Sequence, residues 1–306
     1  VSARPPSHAA CMPRIELPIL PNASGPDASV RTADGRPVPE KLASLLVALR
    51  GYLAEGAVVA FSGGVDSAFL LWAAEQAKEP GARLVALTTV SASTPDPDLE
   101  DARSFAASLG VDHLCVESHE LDREEYRRND AERCYHCKTD LFEIAGSVAA
   151  ERGLGWILYG YTASDRDDVR PGHRAAGEVG VQAPLADAGL EKQEIRALLR
   201  EHGVALADKP SSPCLSSRIM TGVSVDRRRL GDVAALEAIL RGHGIRVCRA
   251  RICDAGDGLF VRVEVGPDEM GKVLACRSEL EREGKARGYR WVTLDLGGYR
   301  TGGGTL

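Results

Sequence analysis

Apolar residues first fall into a regular rhythm from Pro39 onward. Leu42, Leu45, Leu46, Leu49 and Leu53 recur at helical spacing and predict an amphipathic helix with one buried face. Gly56 breaks that pattern, and the short apolar run Ala57-Val58-Val59-Ala60 reads as a buried strand. Ala68 to Ala74 then predicts a helix. Arg83 to Val90 predicts a second strand, and Asp98 to Leu109 a helix with Leu99, Ala102, Phe105, Ala106 and Leu109 inward. A third strand is expected at His113–Val116, a helix from about Lys138 to Arg152, and a fourth strand at Trp156–Tyr159 ending in Gly160. Strands alternating with helices imply an α/β fold with a doubly wound, mainly parallel sheet.

Later segments have a different character. Tyr161 to Val181 reads as a polar loop, Glu191 to His202 as a helix, and Lys209 to Arg218 as an irregular Pro- and Ser-rich stretch. Beyond it, a helix around Asp226 to Arg241 precedes strands at Arg246–Cys253 and Leu259–Val265. Helices within Pro267–Arg287 and a strand at Tyr289–Leu296 complete a smaller C-terminal α+β unit. The expected division is a Pro/Ser-rich tail over 1–38, an α/β domain over 39–208, a linker loop over 209–223, and an α+β domain for substrate binding and oligomerisation over 224–306.

Composition narrows the classes. With 306 residues, 44% of them hydrophobic, the chain is long enough for two proper cores. A formal net charge of -6 argues against a general nucleic-acid surface. No apolar run approaches the ~20 residues of a membrane span, and no signal-peptide core stands near the first residues, so a cytoplasmic setting is expected. In that setting the eight cysteines read as thiols or metal ligands rather than disulfides. Cys11 reads as an incidental thiol and Cys115 as a core thiol. Cys248, Cys253 and Cys276 read as packing thiols, and the isolated histidines, His113 among them, as surface residues.

The first chemical signal is Ser62-Gly63-Gly64-Val65-Asp66-Ser67, set between strand and helix. Paired glycines allow a sharp turn and close approach of backbone to an anion. The following helix N-terminus offers free N–H groups. Ser62 and Ser67 add hydroxyls, and Asp66 beside a phosphate calls for Mg²⁺. No Gly-Lys-Ser/Thr follows, so this is not a Walker A loop. The string resembles the PP-loop of ATP pyrophosphatases, which cleave ATP between its α and β phosphates and adenylylate a substrate. Ser91, at the carboxyl end of the second strand, stands where open α/β sheets bind ligands.

The second signal is Cys134-Tyr135-His136-Cys137, with Cys214 far downstream. Three thiolates suit an iron–sulfur cluster with one open iron. They also suit a Cys3His zinc site with His136. Cys214 alone could be a nucleophile or sulfur donor, activated by Lys209 or Arg218, and unrelated structural thiols are the remaining reading.

Together these stretches resemble the LarE family, ATP-dependent sulfur transferases of nickel-pincer nucleotide synthesis. The resemblance runs from SGGVDS through Asn129–Lys138, Asp168–Gly172 and Lys209–Arg218 to Asp295–Gly302. It implies that a carboxylate of pyridinium-3,5-biscarboxylic acid mononucleotide is adenylylated with ATP and Mg²⁺, and that sulfur then displaces AMP. Cys134, Cys137 and Cys214 match members that hold a [4Fe–4S] cluster; in other members the cysteine matching Cys214 is sacrificed. The resemblance also implies nucleotide contacts at Lys138, Gly160 and Asp165. The small-molecule nucleotide would meet Arg218, Arg249, Arg251, Arg262 and Glu264. Arg249 and Arg251 alternate by two on a strand and share one face. A sulfide source and a homo-oligomer, trimer-based or hexameric, are implied as partners, with no membrane and no nucleic acid. One departure stands out: Gly160-Tyr161-Thr162-Ala163-Ser164-Asp165 lacks an Asn and an Asp that the family commonly has there.

Competing readings are a PP-loop tRNA thiolase, which needs a basic RNA-binding surface, and an amide-forming ligase such as NAD synthetase, which gives the three cysteines no role. A nucleotide- or cluster-sensing regulator is the non-enzyme alternative.

Overall fold

The computed structural model describes residues 37–166 and 171–300. The expected tail up to residue 36 with Cys11, the Asp168–Arg170 part of the family pattern, and the segment from Thr301 lie outside the described residues. The elements in chain order are α1 (Val38–Glu55), β1 (Ala57–Ala60), α2 (Val65–Ala77), β2 (Leu84–Val90), α3 (Asp96–Leu109) and β3 (Asp112–Glu117). Next come α4 (Glu124–Arg127), α5 (Arg133–Arg152), β4 (Trp156–Tyr159), α6 (Pro171–Val179), α7 (Pro184–Asp187) and α8 (Lys192–Glu201). The chain continues with α9 (Arg227–Gly242), β5 (Cys248–Asp254), β6 (Leu259–Val265), α10 (Met270–Ala275), α11 (Arg277–Ala286) and β7 (Val292–Leu294).

These elements form two compact units whose sequences interleave. The first takes the chain up to Thr89, then Pro97–Val116 and Leu141–Ser211; the second takes Val90–Asp96, Glu117–Asp140 and the chain from Ser212 onward. The contiguous division expected from the sequence therefore differs from the folded one, because two mid-chain segments make their contacts with the C-terminal part.

In the first unit the sheet order is β3-β2-β1-β4, with β1 parallel to both β2 and β4. All four β1 residues are buried, as a central parallel strand covered on both faces requires. The order reverses beside β1: the chain moves outward through β2 and β3, then returns to place β4 on the other side. Ligands of open α/β sheets bind at the carboxyl end of such a switch point. Its core gathers Leu45, Leu49 and Leu53 from α1, Val59 from β1, and Phe69, Leu70 and Trp72 from α2. Lys41 is buried on α1, where Nζ pairs with Glu194 (3.2 Å) and donates to the Gly189 carbonyl (2.7 Å). β3 lies at a sheet edge and is only partly covered, so Cys115, expected in the core, is exposed. His113, expected at the surface, instead packs edge-on to Phe61 and bonds Thr88 Oγ1 through Nε2 (2.8 Å).

In the second unit β5 and β6 are antiparallel and β6 and β7 parallel, giving a mixed three-stranded sheet. Val225, Leu230, Leu236, Ile252 and Val263 center its core, with Tyr126 contributed from α4. Two sequence expectations change. The loop expected over Tyr161–Val181 contains α6, which opens on a proline, a residue well suited to a first helical position. α5 starts at Arg133 rather than near Lys138, so Cys134 and Cys137 stand in its first turns. Asn129, at φ 58°, turns the chain there, and the Asp130 side chain accepts from the Glu132 N–H (2.9 Å). Asn tolerates this left-handed conformation better than most residues. No described helix is long and apolar enough to cross a membrane.

Candidate active site

Residues 62–67 of the first unit follow β1 and enter α2. Gly63 has φ +71°, and a Cβ there would meet the Asp98 carbonyl oxygen at 2.9 Å, so only glycine fits. Gly64 caps the helix in an extended conformation, and Val65 is buried as its first residue. Ser67 Oγ donates to the Gly64 carbonyl (3.0 Å) and accepts from the Ser62 N–H (3.3 Å); Ser62 Oγ also lies 3.3 Å from it. Thr88 Oγ1 donates to the Phe61 carbonyl (2.6 Å). Lys209 Nζ donates to the Gly63 carbonyl (3.1 Å) and pairs with Asp98 and Asp101, both at 2.8 Å. Lys209, read from sequence as an activator of Cys214, is thus an anchor of this loop.

Gly160, just past β4, presses on the same turn: a Cβ would lie 2.9 Å from the Ser67 nitrogen. Asp66 stands in the first turn of α2 with its pKa raised to about 6, chiefly by burial, with Lys192 opposing and Asp165 adding to the rise. Such a carboxylate beside a helix N-terminus fits a cation that would restore its charge. Asp165 is fully engaged. Its Oδ2 accepts from the Thr162 N–H (3.1 Å) and hydroxyl (2.7 Å), and Oδ1 pairs with Lys192 (2.5 Å). Burial alone would raise its pKa, but these bonds outweigh burial and hold it below the usual range.

The second unit assembles the thiols. Cys134 is exposed; Cys137 and Cys214 are half-buried. Cys214 precedes a single 3-10 turn, Leu215–Arg218, and the neighbouring Leu215 N–H donates to the Ser93 carbonyl (2.7 Å). The thiols share one electrostatic neighbourhood. Burial, then Glu120 and Cys214, push the Cys137 pKa well up, while Lys138 eases it. Burial also raises Cys214, opposed by Arg133 and reinforced by Cys134 and Glu120.

Sequence reasoning gave no role to three groups here. Glu120 is buried and accepts from Ser91 Oγ (2.7 Å) and Ser93 Oγ (2.6 Å), and its charge helps push the Cys137 pKa up. Ser91, expected at the nucleotide, is thus bonded to this carboxylate. Tyr126 is buried with its hydroxyl 2.6 Å from Ser216 Oγ. Arg133 donates to the Ser216 carbonyl (2.9 Å). The available signal was the place of Arg133 beside Cys134, within the Asn129–Lys138 stretch.

The expected substrate arginines also lie in this unit. Register places Arg249 opposite Glu264 and Arg251 opposite Arg262, so all four share one sheet face. Glu264 Oε1 accepts from Arg251 (2.7 Å) and Arg262 (2.9 Å), which relieves the like-charge pair. Glu264 Oε2 is buried with no hydrogen-bond partner among the described residues. Arg249 lies 4.9 Å over the Tyr299 ring; its pKa is lowered by burial and by Arg218. Arg218 differs from the expectation of a substrate contact. It is buried, pairs with Glu237 (2.9 Å), and donates to the Pro213 and Cys214 (3.1 Å) carbonyls. Its guanidinium holds the Cys214 turn.

Among the described residues, no three His, Cys, Asp or Glu side chains converge as ligands of a single ion. A tetrahedral zinc centre needs donors roughly 2.0–2.3 Å from one point. An iron–sulfur cluster instead takes each thiolate on a different iron, and three neighbouring cysteines fit that donor chemistry.

Comparison with known proteins gives the family. The NAD synthase family pattern matches residues 40–213, ending one residue before Cys214. An uncharacterised protein of Synechocystis sp. is 34% identical over 85% of this chain and 97% of its own length. The pyridinium-3,5-bisthiocarboxylic acid mononucleotide synthase of Lactiplantibacillus plantarum is 30% identical over 86% of this chain and 92% of its own. The tRNA-specific 2-thiouridylase MnmA of Methylobacterium radiotolerans is 26% identical over 61% of this chain and 59% of its own. The match to the synthase spans nearly the whole chain, and the NAD synthase pattern covers the region holding the PP-loop: the chain belongs to the LarE family of PP-loop, ATP-dependent sulfurtransferases.

Proposed function

We propose that this enzyme converts a carboxylate of pyridinium-3,5-biscarboxylic acid mononucleotide into a thiocarboxylate, with sulfur delivered at Cys134, Cys137 and Cys214. The observation that carries the reading is that Arg133 bonds the turn beside Cys214 while reaching Cys134, with Cys137 one helical turn further along α5 in the same unit. An unactivated carboxylate has no adequate leaving group. Its oxygen first attacks the α-phosphorus of ATP, releasing pyrophosphate and forming an acyl adenylate. Sulfur then attacks the acyl carbon, and AMP leaves with the electron pair.

The loop from Ser62 to Ser67 binds the departing pyrophosphate through backbone N–H groups and hydroxyls. Gly160 leaves room for that turn, and Asp66 would hold Mg²⁺, which offsets phosphate charge. Arg249, Arg251 and Arg262 supply cationic recognition of the phosphorylated substrate. The buried Oε2 of Glu264 accepts a hydrogen bond from it. Lys138 contributes positive charge beside Cys137. Arg218 positions Cys214.

The three cysteines would hold a [4Fe–4S] cluster, which when bound carries a transferable sulfide. The alternative within the same reading is sacrifice of Cys214 sulfur. The cytoplasmic setting and a homo-oligomer, trimer-based or hexameric, belong to this proposal; light scattering of the purified chain tests the assembly.

The deciding experiment is mass spectrometry of substrate and protein after incubation with an excess of ATP and the dicarboxylate nucleotide. Sulfur gain in the product with an intact chain supports the cluster route. Loss of about one H2S mass from the chain identifies sacrificial Cys214. No product with either sulfur source overturns the proposal.

A further inference from the structure

Arg133 is half-buried between the two cysteine-bearing segments. Its NH1 donates to the Ser216 carbonyl (2.9 Å), two residues beyond Cys214, and to Asn129 Oδ1. Its NH2 lies 4.0 Å from Cys134 Sγ. Asn129 is itself fixed: it is fully buried, and Nδ2 donates to the carbonyls of Ile219 (3.2 Å), Met220 (2.9 Å) and Val223 (2.8 Å). A rigid acceptor thus aims the guanidinium, one branch grips the Cys214 turn, and the other reaches a thiol. Burial opposes the charge on Arg133, but Cys214 and Cys134 outweigh burial and favor it.

Glu120, buried and bonded to Ser91 and Ser93, adds negative charge near Cys137 and Cys214, and Lys138 adds positive charge near Cys137. Arg133 is a cation whose field reaches both Cys134 and Cys214, so it draws an anionic sulfur species, such as hydrosulfide, toward these two thiols.

We propose that Arg133 is a positioning residue with two separable jobs: its fork clamps the Cys214 turn onto the start of α5, and its charge draws anionic sulfur to Cys134 and Cys214. The identity of that sulfur rests on the proposed sulfur transfer; the clamp and the charge do not. A guanidinium can do both because it presents several donors in a fixed plane. NH1 alone bonds both Asn129 and Ser216 while NH2 faces Cys134; a lysine keeps the charge, but its Nζ ends one bond short of the NH1 position.

The test uses the full chain, reduced and treated with a chelator. It is alkylated in parallel with neutral iodoacetamide and anionic iodoacetate, and peptide mass spectrometry reads each cysteine. Rates are normalised to exposed Cys115 of the first unit. Arg133→Gln should lower the iodoacetate-to-iodoacetamide ratio at Cys134 and Cys214 about fivefold. Arg133→Lys keeps the charge and should restore the ratio, while its loosened turn lets iodoacetamide label Cys214 faster than in the wild type; the Cys214 rate is read in this variant because losing the charge would itself lower the thiolate fraction. An unchanged ratio in Arg133→Gln overturns the charge role, since a merely structural residue would leave that ratio alone. Unchanged Cys214 labelling in Arg133→Lys overturns the clamp. If Arg133→Gln does not fold, Arg133→Lys decides alone: a wild-type Cys214 rate refutes the clamp, and a ratio fallen about fivefold refutes the charge role. A chain that shows these ratios but transfers no sulfur loses the function reading and keeps the positioning one.

Discussion

The phosphate loop and the thiol site solve opposite problems. The loop is one continuous stretch, Ser62 to Ser67, and is shaped mainly by backbone: a glycine at positive φ, a helix N-terminus and short hydroxyl bonds. The thiol site is gathered from Ser91–Ser93, Glu120–Cys137 and Cys214–Arg218, and is held by charged side chains. Backbone recognition of phosphate tolerates few residue types, so it leaves a compact signature. A site held by buried charges needs a partner for each charge, and those partners can come from anywhere in the chain.

If the two regions are chemically independent, removing sulfur delivery should leave activation intact. Cys214→Ala should drop thiocarboxylate formation to background while pyrophosphate release persists. Parallel loss of both in a coupled assay would break the comparison.

Asp66→Asn should lower pyrophosphate release on the order of 10²-fold, and product with it, by removing the proposed cation ligand. The wild type carries a pH signature of the same group. With its pKa near 6, Asp66 is neutral below that value and ionised above it, so ATP turnover should rise through about pH 6. In stability terms the folded state keeps this proton where the unfolded chain, at its ordinary 3.8, has lost it. The folded state is therefore relatively favored at low pH, and that advantage fades as pH rises from about 4 to 6. Added Mg²⁺ should lower the midpoint; a midpoint unmoved by Mg²⁺ would count against Asp66 as its ligand.

Glu237→Gln tests the side-chain network. It leaves Arg218 buried without its carboxylate and should cost about 3–5 kcal/mol in denaturant unfolding. Gly160→Ala tests the backbone site and should cost less, about 1–3 kcal/mol, because the new methyl group pushes on Ser67. Its sharper readout is weakened ATP binding by calorimetry. If Gly160→Ala binds ATP as well as wild type, the close approach of β4 to the loop has no part in nucleotide binding.

The sequence revealed the alternation of strands and helices, because β1 and α2 carry unbroken apolar runs that only a two-sided core can cover. It hid the start of α5, since the polar run Asn129–Arg133 offers no apolar period and its turn depends on the left-handed φ of Asn129. It also misjudged Cys115, whose burial depends on whether β3 has a neighbour on both sides.

By itself, then, the order of residues determined the phosphate loop, the parallel sheet and the identity of the three thiols. Each is written in contiguous residues or in local periodicity. Tertiary structure alone decided that Glu120 and Arg133 flank those thiols, that Lys209 anchors the loop, and that Arg218 holds Cys214 from within the protein. Those roles depend on which buried charge finds which partner across the chain. Coulomb and hydrogen-bond energies act through space, and no spacing along the sequence encodes them.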